Sequence, residues 1–301
     1  MKKFLEYSTK LGSNFMLCQG PGGNTSFKKD GEIFIKKSGL HLSKSKIGTF
    51  QKINYESISN FYEKNINSDL KYNKNLSIET PLHVLSKAKY VFHYHSVASI
   101  ICSLIIDKKT LTHFLDQKEI KSISYVRPGF ELAKEVQRIN KGDELKSFFL
   151  YNHGMLVEGE NLQNIMKQIL LIENYFAEII DYPHLLKLKD SLYNVGQDGL
   201  LITNPDSSIQ YEIFNDKFFF PDHAVFFPYT ISQDKNSPIA YDQNNIIFNK
   251  KLTETELIYF RTLLIIFSYI KDKELFNYID LKTSNALRNS DDEIYRKKLN
   301  K

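Results

Sequence analysis

The chain alternates between two hydrophobic periods, and each switch predicts an element. The N-terminal stretch MKKFLEYSTKLGSNF carries its apolar residues at helical spacing and reads as an amphipathic helix. SFKK and EIFIKK flank Asp30-Gly31 and read as a β-hairpin, because Asp-Gly tolerates the backbone that a tight turn requires. Residues 50–75 are polar, with INYESISNFYEK predicting a strand and a short surface helix. YVFHYH is β-branched and aromatic, so it reads as a strand whose side chains alternate between faces. SVASIICSLI has the continuous apolar character of a buried helix, and TLTHFLDQK that of an amphipathic one with His113 at its surface. SISYVRPGFELAKEVQRIN predicts a short strand, a Pro-Gly loop and a helix with Leu132, Val136 and Ile139 on one stripe. A further strand lies in FFLYNHGMLVEG. A long helix follows, from about Asn161 to Ile180, with Ile165, Ile169, Ile172 and Phe176 at helical spacing.

Beyond Asp181 the character changes. Pro183, Pro205 and turn residues punctuate the chain, and FFFPDHAVFFPYTI reads as apolar strand flanking a Pro221-Asp222-His223 turn capped by the aspartate. LTETELIYFRTLLIIFSYI and SNALRNSDDEIYRKKLNK then predict two helices, the first apolar enough to be buried. The expected organisation is an α/β domain over residues 1–185 and an extension of strands then helices over 186–301, packed on the same domain. The extension has three open roles: finishing a pocket, covering a sheet edge, or forming a subunit interface.

Composition narrows the classes. At 301 residues the chain can bury a large core, and 40 basic against 35 acidic residues leave a formal charge of +5. The lysines are spread rather than gathered on one face, so nucleic acid is not implied, and the mild positive balance suits an anionic small molecule such as a sugar phosphate, though such a balance more often serves solubility alone. Cys18 and Cys102 form no metal or redox pattern and fit a reducing compartment. The N-terminus lacks the apolar core and cleavage site of a signal peptide, and Leu257 to Ile270 is too short to span a bilayer. A cytoplasmic protein without membrane attachment is expected.

Candidate chemistry centres on Leu76 to His95. His93 and His95 point the same way on a strand and can converge on one metal ion, with His153 in Asn-His-Gly as a candidate third ligand. Buried imidazoles with ordinary hydrogen bonds fit the same pattern. Glu79 lies just ahead, where Pro81 suits the first turn of a helix running through Ala88, so a helix-start acid is the alternative role. In GPGGNTS, Gly22 and Gly23 allow a tight turn while Asn24, Thr25 and Ser26 offer groups that can hold a phosphate or carboxylate. Ser38-Gly39 closes a second small loop, and plain turn chemistry would explain both. Tyr125 and Arg127 sit on the loop side of their strand.

Taken in order, GPGGNTS, KKSG, SIETPLH, HYHS, YVRPGFELA and YNHGMLVEG resemble the motifs of the class II aldolase and adducin head domain family. The likeness is nearest to the aldolase part of bifunctional rhamnulose-phosphate aldolase/alcohol dehydrogenases, where PDHAVFF and DDEIYRKKL also have counterparts. No dehydrogenase domain is expected within these 301 residues. The resemblance implies a three-layer α/β/α fold with a central, mainly antiparallel sheet, and a divalent metal, usually Zn2+. His93, His95 and His153 fall on its ligand positions and Glu79 on its acid/base carboxylate. Asn24, Thr25, Ser38, Gly39 and Ser77 fall on its substrate-phosphate loops, and Tyr125 on its catalytic tyrosine. One departure is Ser77-Ile78-Glu79 where many members have Ser-Ser-Glu, which removes a phosphate-facing hydroxyl.

The implied activity is aldol cleavage or condensation of a sugar or sugar phosphate through a metal-stabilised enediolate. Alternatives on the same site are decarboxylation of a 3-keto sugar acid and epimerisation. A non-catalytic, adducin-like interaction module is the reading from another class. The resemblance also implies a homo-oligomer, commonly a tetramer.

Overall fold

The computed structural model describes residues 1–65, 72–140, 145–192, 201–204 and 206–300. The first helix, α1 (Lys2–Gly12), leads into β1 (Asn24–Lys29) and β2 (Glu32–Lys36), with Asp30 and Gly31 both at positive φ in the turn between them. Then come β3 (Phe50–Asn54), α2 (Tyr55–Lys64), α3 (Thr80–Leu85), β4 (Tyr90–Tyr94), α4 (Val97–Ile105) and α5 (Lys108–Gln117). β5 (Lys121–Ile123), α6 (Phe130–Ile139), β6 (Leu145–Leu150), β7 (Gly154–Gly159) and α7 (Leu162–Phe176) complete this part. The seven strands form one sheet in the order β3-β2-β1-β4-β7-β6-β5, antiparallel except for the parallel pair β5–β6.

Strand alternation divides the sheet into two dissimilar faces. Phe27, Phe92 and Tyr94 join Phe4, Leu11 and the helix residues Ile101, Leu111 and Ile169 in the main core. Val91, Phe148 and Leu156 instead meet Leu132 and Val136 of α6 and Leu82 of α3. Helices therefore cover both faces, and the fold is a mixed α/β architecture with a central sheet, as expected.

The rest of the chain runs through α8 (Tyr182–Leu192), β8 (Leu201–Thr203), α9 (Pro221–Phe226), β9 (Ile231–Ser232), β10 (Ile239–Tyr241) and β11 (Asn245–Phe248). It closes with α10 (Glu254–Ile270), α11 (Leu281–Arg288) and α12 (Asp291–Lys298). β8, β11, β10 and β9 make a small second sheet. Helix α10 starts in a reciprocal capping box between Thr253 and Glu256 and buries Leu263, Ile266 and Ile270 in the main core, so this core runs on from the first part into the extension. Among the described residues no helix is long and apolar enough to cross a membrane.

Three expectations need correction. PDHAVF is a helix and not a turn between strands: Pro221 opens α9, where its missing N–H costs nothing. SNALRNSDDEIYRKKLNK breaks at Asn289-Ser290 into two helices, with Ser290 at the N-cap of the second. Helix α3 ends at Leu85, short of Ala88, because Ser86 is extended.

A buried carboxyl on α7 gives the fold a pH dependence. Glu173 Oε2 accepts a hydrogen bond from Ser96 Oγ at 3.1 Å and a long one from Tyr182 at 3.4 Å, while Oε1 has no partner among the described residues. Burial outweighs these donors and pushes its pKa from 4.5 up to about 8. A carboxyl with a raised folded pKa contributes stability below its unfolded pKa and loses it as pH climbs toward the folded value. Glu173→Gln should therefore gain on the parent by about 3 kcal/mol between pH 5 and pH 8.5. Urea unfolding of both proteins at the two pH values checks this, and an unchanged difference would show that Glu173 is already ionised in the native protein.

Candidate metal centre

Antiparallel register builds the site. Asn24 on β1 is the direct partner of His93 on β4, so both side chains leave the sheet on the face covered by α3. From the turn before α3 Glu79 meets them, and Ser77 Oγ, accepting the Glu79 N–H at 3.2 Å, shapes that turn. The Asn24 amide donates to Glu79 Oε2 at 2.7 Å, while its carbonyl oxygen is bonded to His83 Nε2. His83 Nδ1 in turn lies 2.8 Å from Ser26 Oγ. Burial pushes His83 down to about 3, so it stays neutral and serves as a strut.

His153 arrives from the other side, in the turn between β6 and β7. Asn152 occupies positive φ there, where asparagine is better tolerated than most residues, and Gly154 follows at φ 145°. A Cβ on Gly154 would stand 2.3 Å from the Tyr94 carbonyl, so glycine is what lets the turn close against β4.

Glu79 Oε1 lies 3.2 Å from His93 Nε2 and 3.0 Å from His153 Nε2, and His95 Nε2 lies 3.1 Å from His93 Nε2. One ligand atom from each of Glu79, His93, His95 and His153 falls within 4.8 Å of every other, and all four residues are buried. The second ring nitrogens explain why a cation fits. His93 Nδ1 donates to the Met155 carbonyl at 2.9 Å, and Asp222 Oδ2 stands 3.2 Å from His95 Nδ1. With protons at those positions, the Nε2 atoms of both rings are free to share a cation with the carboxylate oxygen. Three imidazoles and one carboxylate form a donor set suited to a divalent transition metal. Burial raises the Glu79 carboxyl, but His93 and His153 beside it outweigh that and hold it well below the usual range. His153 is pushed down to about 4, chiefly by burial.

A second shell of charge comes from the far end of the chain. Asp222 on α9 receives Arg296 Nη1 of α12 at 2.7 Å, and the Tyr259 hydroxyl of α10 lies 2.5 Å from its Oδ2. Lys36 donates to the Pro21 carbonyl at 2.8 Å and is buried. Burial first, then Arg296, lowers it to about 8. Sequence reasoning passed over Asn24 as a strut, His83, Lys36, Tyr259 and Arg296. A usable signal existed for Asp222 alone, a carboxylate in an apolar run.

The remaining expected residues are placed as follows. Thr25 points to the opposite face of β1, where its hydroxyl lies 2.8 Å from Ser8 Oγ of α1, because consecutive strand residues alternate. Ser38 is buried and Gly39, at φ 72°, lies under the chain end: a Cβ there would be 2.9 Å from Leu299 Cβ. Ile78, at the departure from Ser-Ser-Glu, packs against Gly129 at the start of α6. Tyr125 packs on Phe218, Ala224 and Ile279, its hydroxyl buried without a hydrogen-bond partner among the described residues. His223 is a neutral core residue whose Nδ1 accepts the Phe219 N–H at 3.1 Å, and burial pushes it down to about 3.

The two faces of β1 can be told apart experimentally. Asn24→Ala removes a buried hydrogen bond to a charged carboxylate and should cost about 2 kcal/mol while weakening metal uptake. Thr25→Val should cost about 1 kcal/mol and leave metal uptake unchanged. Denaturant unfolding with metal titration of both variants reads the difference, and loss of uptake in Thr25→Val would contradict the register.

Comparison with known proteins adds the family. The model of the Class II Aldolase and Adducin N-terminal domain matches residues 2–180, more than half of the chain. The chain is 25% identical over 187 residues to the uncharacterized oxidoreductase YuxG of Bacillus subtilis, covering 55% of this chain and 27% of that protein. It thus spans about a quarter of that relative's length. The N-terminal class II aldolase domain of a conserved Thermoplasma acidophilum protein superposes with a TM-score of 0.50 at 23% identity, over 58% of this chain and 91% of that one. L-fuculose-1-phosphate aldolase from Thermus thermophilus gives 0.43 at 17% identity, over 62% and 98%. From the match over residues 2–180, the chain belongs to the class II aldolase and adducin N-terminal domain family.

Proposed function

We propose that the protein is a divalent-metal-dependent lyase that makes or breaks a carbon–carbon bond in a small anionic hydroxy-ketone, a sugar or sugar phosphate. The observation that carries this reading is the buried convergence of Glu79, His93, His95 and His153 within 4.8 Å. An interaction module has no physical need for three imidazoles gathered on a buried carboxylate.

A divalent ion held by the three histidines supplies Lewis-acid stabilisation of the negative charge that grows on a substrate oxygen during cleavage. Glu79 is the proton carrier. Its carboxyl is fixed through Oε2 by Asn24 while Oε1 faces the imidazoles, so it is placed to take a proton from the substrate carbon on condensation and return it on cleavage. Tyr125 is assigned the proton on the aldehyde oxygen. Its support is a buried hydroxyl without a partner, kept protonated because burial pushes its pKa up. Lys36 adds a fixed positive charge within electrostatic reach of Glu79 and Asp222, which favours an anionic substrate. Ser38, Gly39 and Ser77 are assigned to the anion's loops, and assembly as a homo-oligomer belongs to the same reading.

Elemental analysis of the purified protein against His93→Ala/His95→Ala tests the centre. Stoichiometric zinc or another divalent ion in the parent, lost in the variant, is the expected result. With the metal-loaded protein, ketose phosphates should release an aldehyde, and Glu79→Gln should lower kcat by roughly 10²- to 10⁴-fold while keeping its metal. Carbon dioxide from a 3-keto acid, in place of aldehyde, would redirect the same site to decarboxylation. No metal in the parent, even after adding it back, would sink the lyase reading.

A further inference from the structure

We propose that Asp222 is a positioning residue for His95, so that α9, α10 and α12 complete the metal centre from outside the region matched by the family model. The inference rests on the metal-dependent reading above. It adds residues that neither the ligand set nor the family match assigns.

Three observations converge on it. The first is contact: Asp222 Oδ2 lies 3.2 Å from His95 Nδ1, the nitrogen turned away from the other ligands, and Asp222 is 1% exposed. A carboxylate on the outer nitrogen of a ligating histidine keeps the proton there, leaves the inner lone pair for the metal, and makes that nitrogen a stronger donor. The second is that Asp222 is itself held in place. Arg296 Nη1 takes Oδ1 at 2.7 Å, and Tyr259, which also reaches the Gln19 carbonyl at 3.0 Å, lies against Oδ2.

The third is the space made for the contact. A Cβ on Gly22 would lie 2.6 Å from Asp222 Oδ2 and 2.9 Å from His95 Nδ1, closer than side-chain atoms approach. The Pro21-Gly22-Gly23 loop is thus fitted around the aspartate–histidine pair. The three ligands differ in what stands behind them: His93 Nδ1 donates to a backbone carbonyl, His95 Nδ1 has a carboxylate oxygen 3.2 Å away without a geometrically complete hydrogen bond, and His153 Nδ1 has no hydrogen-bond partner among the described residues.

Substitution by the amide has a specific consequence. Arg296 only donates, so in Asp222→Asn the amide oxygen must face Arg296 and the NH2 must face His95. That NH2 forces His95 Nδ1 to accept, which moves the ring proton to Nε2, where the metal has to bind. Zn2+ affinity of the full chain, measured by competition with a chromophoric chelator, should fall by roughly 10- to 100-fold in Asp222→Asn. Nitrogen-15 spectra of the imidazoles should show His95 protonated at Nδ1 in the Zn2+-loaded parent and at Nε2 in the metal-free variant. Zn2+ affinity of Asp222→Asn within twofold of the parent would overturn the proposal while leaving the metal centre intact. Should the variant not fold, the parent spectrum alone decides: a His95 Nδ1 without its proton in the Zn2+-loaded protein also overturns it. A parent that takes up no Zn2+ fails at the earlier step, since the metal reading itself then falls and this role with it.

Discussion

Everything around the centre follows from placing two imidazole Nε2 atoms 3.1 Å apart beside a buried carboxylate. Such a cluster is unstable against ring rotation, proton uptake and water entry unless each group is fixed from behind. The Met155 carbonyl fixes His93, the Asn24 amide fixes Glu79, and His83, neutral and bonded to Ser26, fixes Asn24. Each strut comes from an element adjacent in the sheet or directly above it. The β1–β4–β7 pairing is therefore as much part of the centre as the ligands.

The extension bears on the same cluster at two points. Besides Asp222 against His95, the Asn152 side chain donates to the carbonyls of Phe219 at 3.3 Å and Asn277 at 3.2 Å, tying the His153 turn to the segments before α9 and α11. Burying the Asp222–Arg296 pair costs desolvation of both ions, which a single contact seldom recovers. Here Tyr259, His95 and Glu293 share the load, Glu293 lying 3.3 Å from Arg296. A polar network of this density is a poor way to stabilise a fold and a good way to fix one geometry.

Local periodicity made much of this legible. The alternation in YVFHYH placed His93 on the face away from Phe92 and Tyr94, and the Asp-Gly turn fixed the hairpin that brings Asn24 alongside. Thr25 was assigned to a loop by its motif, but once β1 is seen to begin at Asn24 the period of two sends it to Ser8. FFFPDHAVFF has no period, since every position but Asp222 and His223 is apolar and suits burial in either conformation, and length and proline alone could not decide it. Arg296 and Tyr259 were illegible for a different reason: their partner is His95 through Asp222, and contacts between residues that far apart in sequence leave no local pattern.

The isoleucine in Ser77-Ile78-Glu79 is the clearest case of sequence and structure informing each other. As a motif residue it is a loss, a hydroxyl exchanged for an apolar side chain. In the fold it fills the space over Gly129, whose φ of 115° and lack of a Cβ leave room for it, with Ile78 Cγ1 where a methyl would stand 3.0 Å away. The turn that carries Glu79 is thereby packed onto the start of α6, four residues after Tyr125. The proposed acid/base carboxylate and the proposed tyrosine are carried by segments that cannot shift independently, because movement of either would open a void beside Gly129. The substitution exchanges a hydroxyl for rigidity between the two groups proposed to carry protons.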